Sequence, residues 1–156
     1  MQKISKNTKD TEQIAKDFIE LLSVKNKEAY VVGLYGDLGT GKTTFTQFVA
    51  KNFGIKRKIN SPTFVIMKKY KIATRSLNEP SDLVAKFKYL FHLDAYRLKN
   101  EKELLHLGWK EIISNPEHLV FIEWPENIKK VMPKKHHKIH ISHTKKGYRK
   151  FEIKQS

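Results

Sequence analysis

Residues 30–43 read Tyr30-Val31-Val32-Gly33-Leu34-Tyr35-Gly36-Asp37-Leu38-Gly39-Thr40-Gly41-Lys42-Thr43, an apolar β-type run passing directly into a complete G-x-x-x-x-G-K-T phosphate-binding loop. Glycines at both ends let the backbone wrap closely around an anion, whose charge meets converging amide N–H groups and the positive end of the next helix. Lys42 can reach β- and γ-phosphates, and Thr43 offers a hydroxyl to Mg²⁺. A turn that binds nothing would not need this strand before it and this helix after it.

Working outward, the helix after the loop is predicted from about Thr43 to Phe53, burying Phe45, Phe48 and Val49, with Gly54 as its stop. Upstream, Ile14, Phe18, Leu21 and Leu22 have helical spacing, with Thr11 as the expected N-cap. Downstream, Ser61-Pro62-Thr63-Phe64 reads as a turn into the run Phe64 to Lys71, and Thr74 to Asp82 as a hairpin-like loop. Phe87 to Asp94 is a strand, and Asn100 with Glu103 caps a short helix to Leu107 that Gly108 breaks. Leu119-Val120-Phe121-Ile122-Glu123 is apolar throughout and reads as a central parallel strand, and Lys138 to His143 with Tyr148 to Ile153 as a terminal hairpin. The expectation is an α/β, single P-loop NTPase-like domain over residues 1–156, with a mostly parallel central sheet flanked by helices and a C-terminal β-hairpin.

Without cysteine there are no disulfides, thiolate nucleophiles or Cys-based zinc sites. No run of 18 apolar residues occurs and the N-terminus is polar, so a soluble, cytoplasmic protein without a membrane partner is expected. The net charge of +15 raises the question of a polyanionic partner, yet of 31 basic residues the arginines are Arg57, Arg75, Arg97 and Arg149, and bidentate phosphate recognition favours Arg. A solvated lysine surface accounts for most of the excess; Lys134-Lys135-His136-His137-Lys138 is the best local candidate for a nucleic-acid face. Its histidines alternate with apolar residues as in a strand, which speaks against a metal site.

Turnover of a nucleotide needs a carboxylate for Mg²⁺ and a group that orients water, and open α/β sheets present such groups at the carboxyl ends of their strands. Asp94 and Glu123 both end an apolar strand, so either could face the loop, or serve as a cap or ion-pair member. Trp124 is a core or rim aromatic, or a partner contact. Arg97 neutralises phosphate or pairs with Asp94. Thr63 belongs to an ordinary turn or to a loop that senses γ-phosphate.

Taken together, Gly36 to Phe45, Ser61-Pro62-Thr63-Phe64, His92-Leu93-Asp94-Ala95-Tyr96-Arg97-Leu98 and Ile122-Glu123-Trp124-Pro125-Glu126 resemble the TsaE (YjeE) family of bacterial ATPases over residues of about 10 to 130. The resemblance implies a Mg²⁺-dependent ATPase, converting ATP to ADP and phosphate and weak alone, that works with TsaB-like and TsaD-like partners in threonylcarbamoyladenosine modification of tRNA. tRNA would be met mainly through that complex, with the basic surface a candidate for direct contact. It further implies that Thr11, Asp37, Leu38, Gly39, Thr40, Gly41, Lys42, Thr43 and Thr44 bind ATP, that Thr43 and Glu123 hold Mg²⁺, that Asp94 positions or deprotonates the water, and that Thr63 and Lys42 complete the catalytic set.

A GTPase reading lacks the N-K-x-D guanine-reading element. A small nucleoside or metabolite kinase, the main alternative, usually carries an arginine-rich lid, which four scattered arginines do not supply. A nucleic-acid-binding module without catalysis leaves the loop, Asp94 and Glu123 unexplained.

Overall fold

The computed structural model describes residues 1–22, 27–57, 59–62, 64–73 and 86–154. In chain order the elements are β1 (Gln2–Ser5), α1 (Thr8–Glu20), β2 (Tyr30–Tyr35), α2 (Lys42–Asn52), β3 (Met67–Lys71), β4 (Tyr89–Asp94), α3 (Glu101–His106), α4 (Trp109–Ser114), β5 (His118–Glu123), a 3-10 turn (Pro125–Ile128), β6 (His137–His143) and β7 (Arg149–Lys154).

The strands form one sheet in the order β1-β7-β6-β2-β5-β4-β3. The expected mostly parallel sheet is in fact mixed. β6, β2, β5 and β4 run parallel, whereas β3 joins β4, and β7 and β1 join β6, antiparallel. The reason lies in the connections: parallel neighbours need a long crossover, whereas the short turn between β6 and β7 folds the chain straight back. That terminal hairpin closes with Thr144 N–H donating to the Tyr148 carbonyl at 2.8 Å.

β5 is buried along its whole length, as a strand covered on both faces must be, and its apolar run supplies both layers. Leu119 and Phe121 pack with α1 and α2, through Phe18, Phe45 and Val49 among others. Val120 and Ile122 point the other way, to Leu104 of α3, Trp109 and Ile112 of α4, and Ile128 of the 3-10 turn. Trp109 is fully buried, and its indole N–H donates to the Val131 carbonyl at 2.8 Å, so the large apolar ring enters the core without stranding its donor.

Three local expectations change. α1 starts a turn earlier than Thr11: Asn7 is the N-cap, its side chain accepting from Asp10 N–H at 3.0 Å, while the Asp10 carboxylate accepts from Lys6 N–H at 2.8 Å just ahead of the cap. Gly108 ends α3 with φ +79° and then serves as the N-cap of α4, a helix the sequence reading leaves out. β1 was also unforeseen and pairs with β7 at the far end of the chain. The predicted loop from Thr74 to Asp82 lies outside the described residues, as does Thr63.

Candidate functional site

β2, β5 and β4 are parallel neighbours, and their register decides the site. Asp94 lies beside Glu123, and Glu123 beside Leu34, just ahead of the glycine loop. With adjacent strands about 4.8 Å apart, the two carboxylates start side by side at the carboxyl edge of the sheet. Strand alternation turns His92, Asp94, Phe121 and Glu123 to the face that α2 covers.

The loop is shaped by its glycines. Gly36 has φ +129°, and a Cβ there would run into the Ile141 carbonyl; Gly41, at φ +102°, is the N-cap of α2 and leaves the first-turn N–H groups without intrahelical acceptors. Lys42 is buried at 5% exposure and folds back: its Nζ donates to the carbonyls of Gly36 (2.6 Å) and Asp37 (2.9 Å) and lies 4.1 Å from the Trp124 ring centroid. Burial pulls its pKa below the usual lysine value, against the opposing fields of Glu123, Glu126, Asp94 and Asp37.

Glu123 is where the site converges. Its Oε1 accepts from Thr43 Oγ1 at 2.7 Å and from His92 Nε2 at 2.8 Å. His92 is fully buried, and among the described residues its Nδ1 has no hydrogen-bond partner. Asp94, also buried, accepts from Tyr96 N–H at 2.9 Å through Oδ1 and from Ser61 Oγ at 3.1 Å through Oδ2.

Gly39, Lys42, Thr43, Asp94, Glu123 and Trp124 line one cavity of about 570 Å³, which Leu38, Gly41 and Thr44 also border. Asp37 and Thr40 brace the loop from behind, the Asp37 carbonyl accepting from Thr40 Oγ1 at 2.9 Å. Thr11 borders a separate cleft of about 80 Å³ with Gly41 and Thr44, and its hydroxyl lies 2.7 Å from Ser5 Oγ. Arg97 lines the main cavity with its guanidinium 4.6 Å from the Phe64 ring centroid; among the described residues it forms no ion pair with Asp94.

Sequence reasoning gave no role to His92 or Arg149, and took Ser61 only as part of the turn or γ-phosphate-sensing loop Ser61-Pro62-Thr63, not as a partner of Asp94. A histidine two positions before Asp94 in an apolar strand must share its face, which is the signal that was available for His92. Arg149 arrives from β7, donating through Nε to the Thr40 carbonyl at 2.9 Å, and no local pattern foretells that. Trp124 stands apart for its backbone: φ +59° and ψ +48° put a bulky residue in the left-handed region, where its ring meets both Lys42 and Tyr96.

Fold and site together define an α/β protein in which a glycine-rich loop and two strand-end carboxylates share one cavity. The family model described as threonylcarbamoyl adenosine biosynthesis protein TsaE matches residues 5–151, and the chain belongs to the TsaE family. It is 35% identical over 127 residues to the tRNA threonylcarbamoyladenosine biosynthesis protein TsaE of Rickettsia typhi, covering 81% of this chain and 78% of that one. The same identity over the same length relates it to the protein of that name from Bacillus subtilis, covering 81% and 68%. Across such relatives the chain spans between 64% and 79% of their length. The crystal structure of B. subtilis YdiB is similar with a TM-score of 0.68 and 26% identity, over 99% of this chain and 84% of that one. Among the described residues no helix is long and apolar enough to cross a membrane.

Proposed function

We propose that the chain is a single-domain P-loop ATPase that uses Mg²⁺ and serves the threonylcarbamoyladenosine modification of tRNA, together with TsaB-like and TsaD-like partners. The observation that carries this reading is the meeting of Lys42, Thr43, Asp94 and Glu123 in one cavity at the carboxyl edge of the parallel strands. The names of the relatives support the pathway, and the donor set supports the chemistry.

A hydroxyl and a carboxylate within hydrogen-bonding distance are the hard oxygen donors Mg²⁺ takes, and one or two protein ligands suffice when phosphate and water complete its shell. Thr43 and Glu123 would hold the ion, which would supply neutralisation of phosphate charge. His92 keeps Glu123 from turning away. Lys42 exchanges its two loop carbonyls for phosphate oxygens, and the α2 N-terminus adds backbone donors. Asp94, fixed by Tyr96 N–H and Ser61, holds the attacking water and accepts its proton. Thr11, which borders a cleft with Gly41 and Thr44, would meet the nucleotide, and the γ-phosphate-sensing role would fall to Thr63.

The test follows the label from γ-labelled ATP with Mg²⁺, with and without a TsaB–TsaD pair and tRNA. Free phosphate rising sharply with the partners is the expected result. Label on a small-molecule acceptor would make the chain a kinase instead.

A further inference from the structure

A second groove, of about 500 Å³, opens on the other face of the sheet. Ile139, Ile141, Phe151 and Ile153 pack toward α1 and α2, so alternation sends Lys138, His140, Glu152 and Lys154 the opposite way. The core beneath α3, α4 and the 3-10 turn takes no residue from β6 or β7. This wing of the sheet therefore keeps one face open.

We propose that the groove binds a single-stranded segment of RNA, holding its phosphodiester backbone on lysines and its bases on the neighbouring rings. Charge complementarity carries the assignment. Lys138 lies directly opposite Lys154 across β6 and β7, a like-charge pairing that works against the sheet. Lys129 adds a third ammonium from the groove wall, and among the described residues none of the three forms an ion pair. Glu152 is already engaged, accepting from Lys150 Nζ and Gln2 Nε2 at 2.9 Å each. Glu126 is the remaining carboxylate of the groove lining, and its field also reaches Lys42 and Tyr35, leaving three lysines against two carboxylates of which Glu152 is engaged.

The rings favour a single strand over a duplex. Tyr35 is in register with His140, and the Tyr35 hydroxyl lies 3.0 Å from His136 Nε2. His136 is fixed further by its Nδ1 at 2.8 Å from the Pro133 carbonyl. Flat side chains beside a cationic strip suit unpaired bases, whose faces stack without regard to sequence. The choice of RNA over DNA rests on the tRNA-modification reading above; the cationic strip does not.

The experiment measures anisotropy of a labelled single-stranded RNA of about 12 nucleotides, and of a tRNA transcript, with the full chain at about 0.05 and 0.2 M salt. Lys138→Glu with Lys154→Glu should weaken both by at least about tenfold and flatten the log–log salt slope by about 1 to 2. Lys145→Glu with Lys146→Glu, the same charge change on the hairpin turn, should alter binding by less than about twofold. Lys138→Gln with Lys154→Gln guards against misfolding and should still weaken binding several-fold. Equal losses in the turn variant, or none in the groove variants, overturn the site; equal binding of duplex DNA, or displacement by polyglutamate, overturns RNA as the occupant. Mg-ATP binding is measured on the same samples and should be unchanged in the groove variants. A wild-type chain that binds RNA but no nucleotide removes the ATPase proposal and leaves the groove standing.

Discussion

The centre of the sheet and its β6–β7 wing are built from the same alternating strands yet differ in what covers them. β5 is buried on both faces, whereas β6 and β7 show lysine, histidine and glutamate on one. Double coverage leaves the centre a single place to do chemistry, the edge where its strands end, and that edge holds Asp94 and Glu123. A half-covered wing has a whole face to offer, and this one offers charge.

The largest effect should come from the centre. Phe121→Ala should destabilise the fold by about 3–5 kcal/mol in urea unfolding, against about 0.5 kcal/mol or less for His140→Ala on the wing. Comparable losses would dissolve the contrast. Lys42→Ala should weaken Mg-ATP binding by about 3 kcal/mol, on the order of a hundredfold by titration calorimetry. Asp94→Ala should keep that binding and slow hydrolysis by about a hundredfold; wild-type turnover would remove its assigned role.

Smaller effects sharpen the picture at Glu123. Glu123→Ala should weaken nucleotide binding in Mg²⁺ more than in chelator, and equal weakening would take it out of the metal site. His92→Phe should reproduce that selectivity at about tenfold or less, because it removes a donor and leaves the carboxylate.

The smallest effect returns to the wing's root, where the His137 ring stacks on Tyr30 at 4.3 Å. Burial, with help from His136, lowers the His137 pKa, so the unfolded chain takes up the proton more readily. This contribution to stability is complete above about pH 6.5 and is lost as pH falls through the lowered folded value. His137→Phe keeps a stacked ring and should flatten the decline in Tm between about pH 7.5 and 5.5. An unchanged decline would assign it to other groups.

What could be read in the chain beforehand follows the range of the interactions. The loop at 36–43, α2 with its glycine stop and the apolar β5 are each specified by neighbours in sequence, and they stand where expected. β1 was missed because its pairing with β7, Gln2 opposite Glu152, is a contact across nearly the whole chain. α4 was missed because Gly108 reads locally as a stop, although the same residue begins the next helix. In the site, the strand ends pointed to Asp94 and Glu123, but the two donors on one Glu123 oxygen arise only when β4, β5 and α2 meet.

Trp124 answers two demands at once. At its φ of +59° a glycine would sit without strain, while the indole is what Lys42 and Tyr96 touch. Backbone comfort and side-chain chemistry ask for different residues at this joint between Glu123 and Pro125, and chemistry has prevailed. The chain thus holds a large ring against Lys42 and Tyr96 in a backbone conformation that bulky residues rarely adopt.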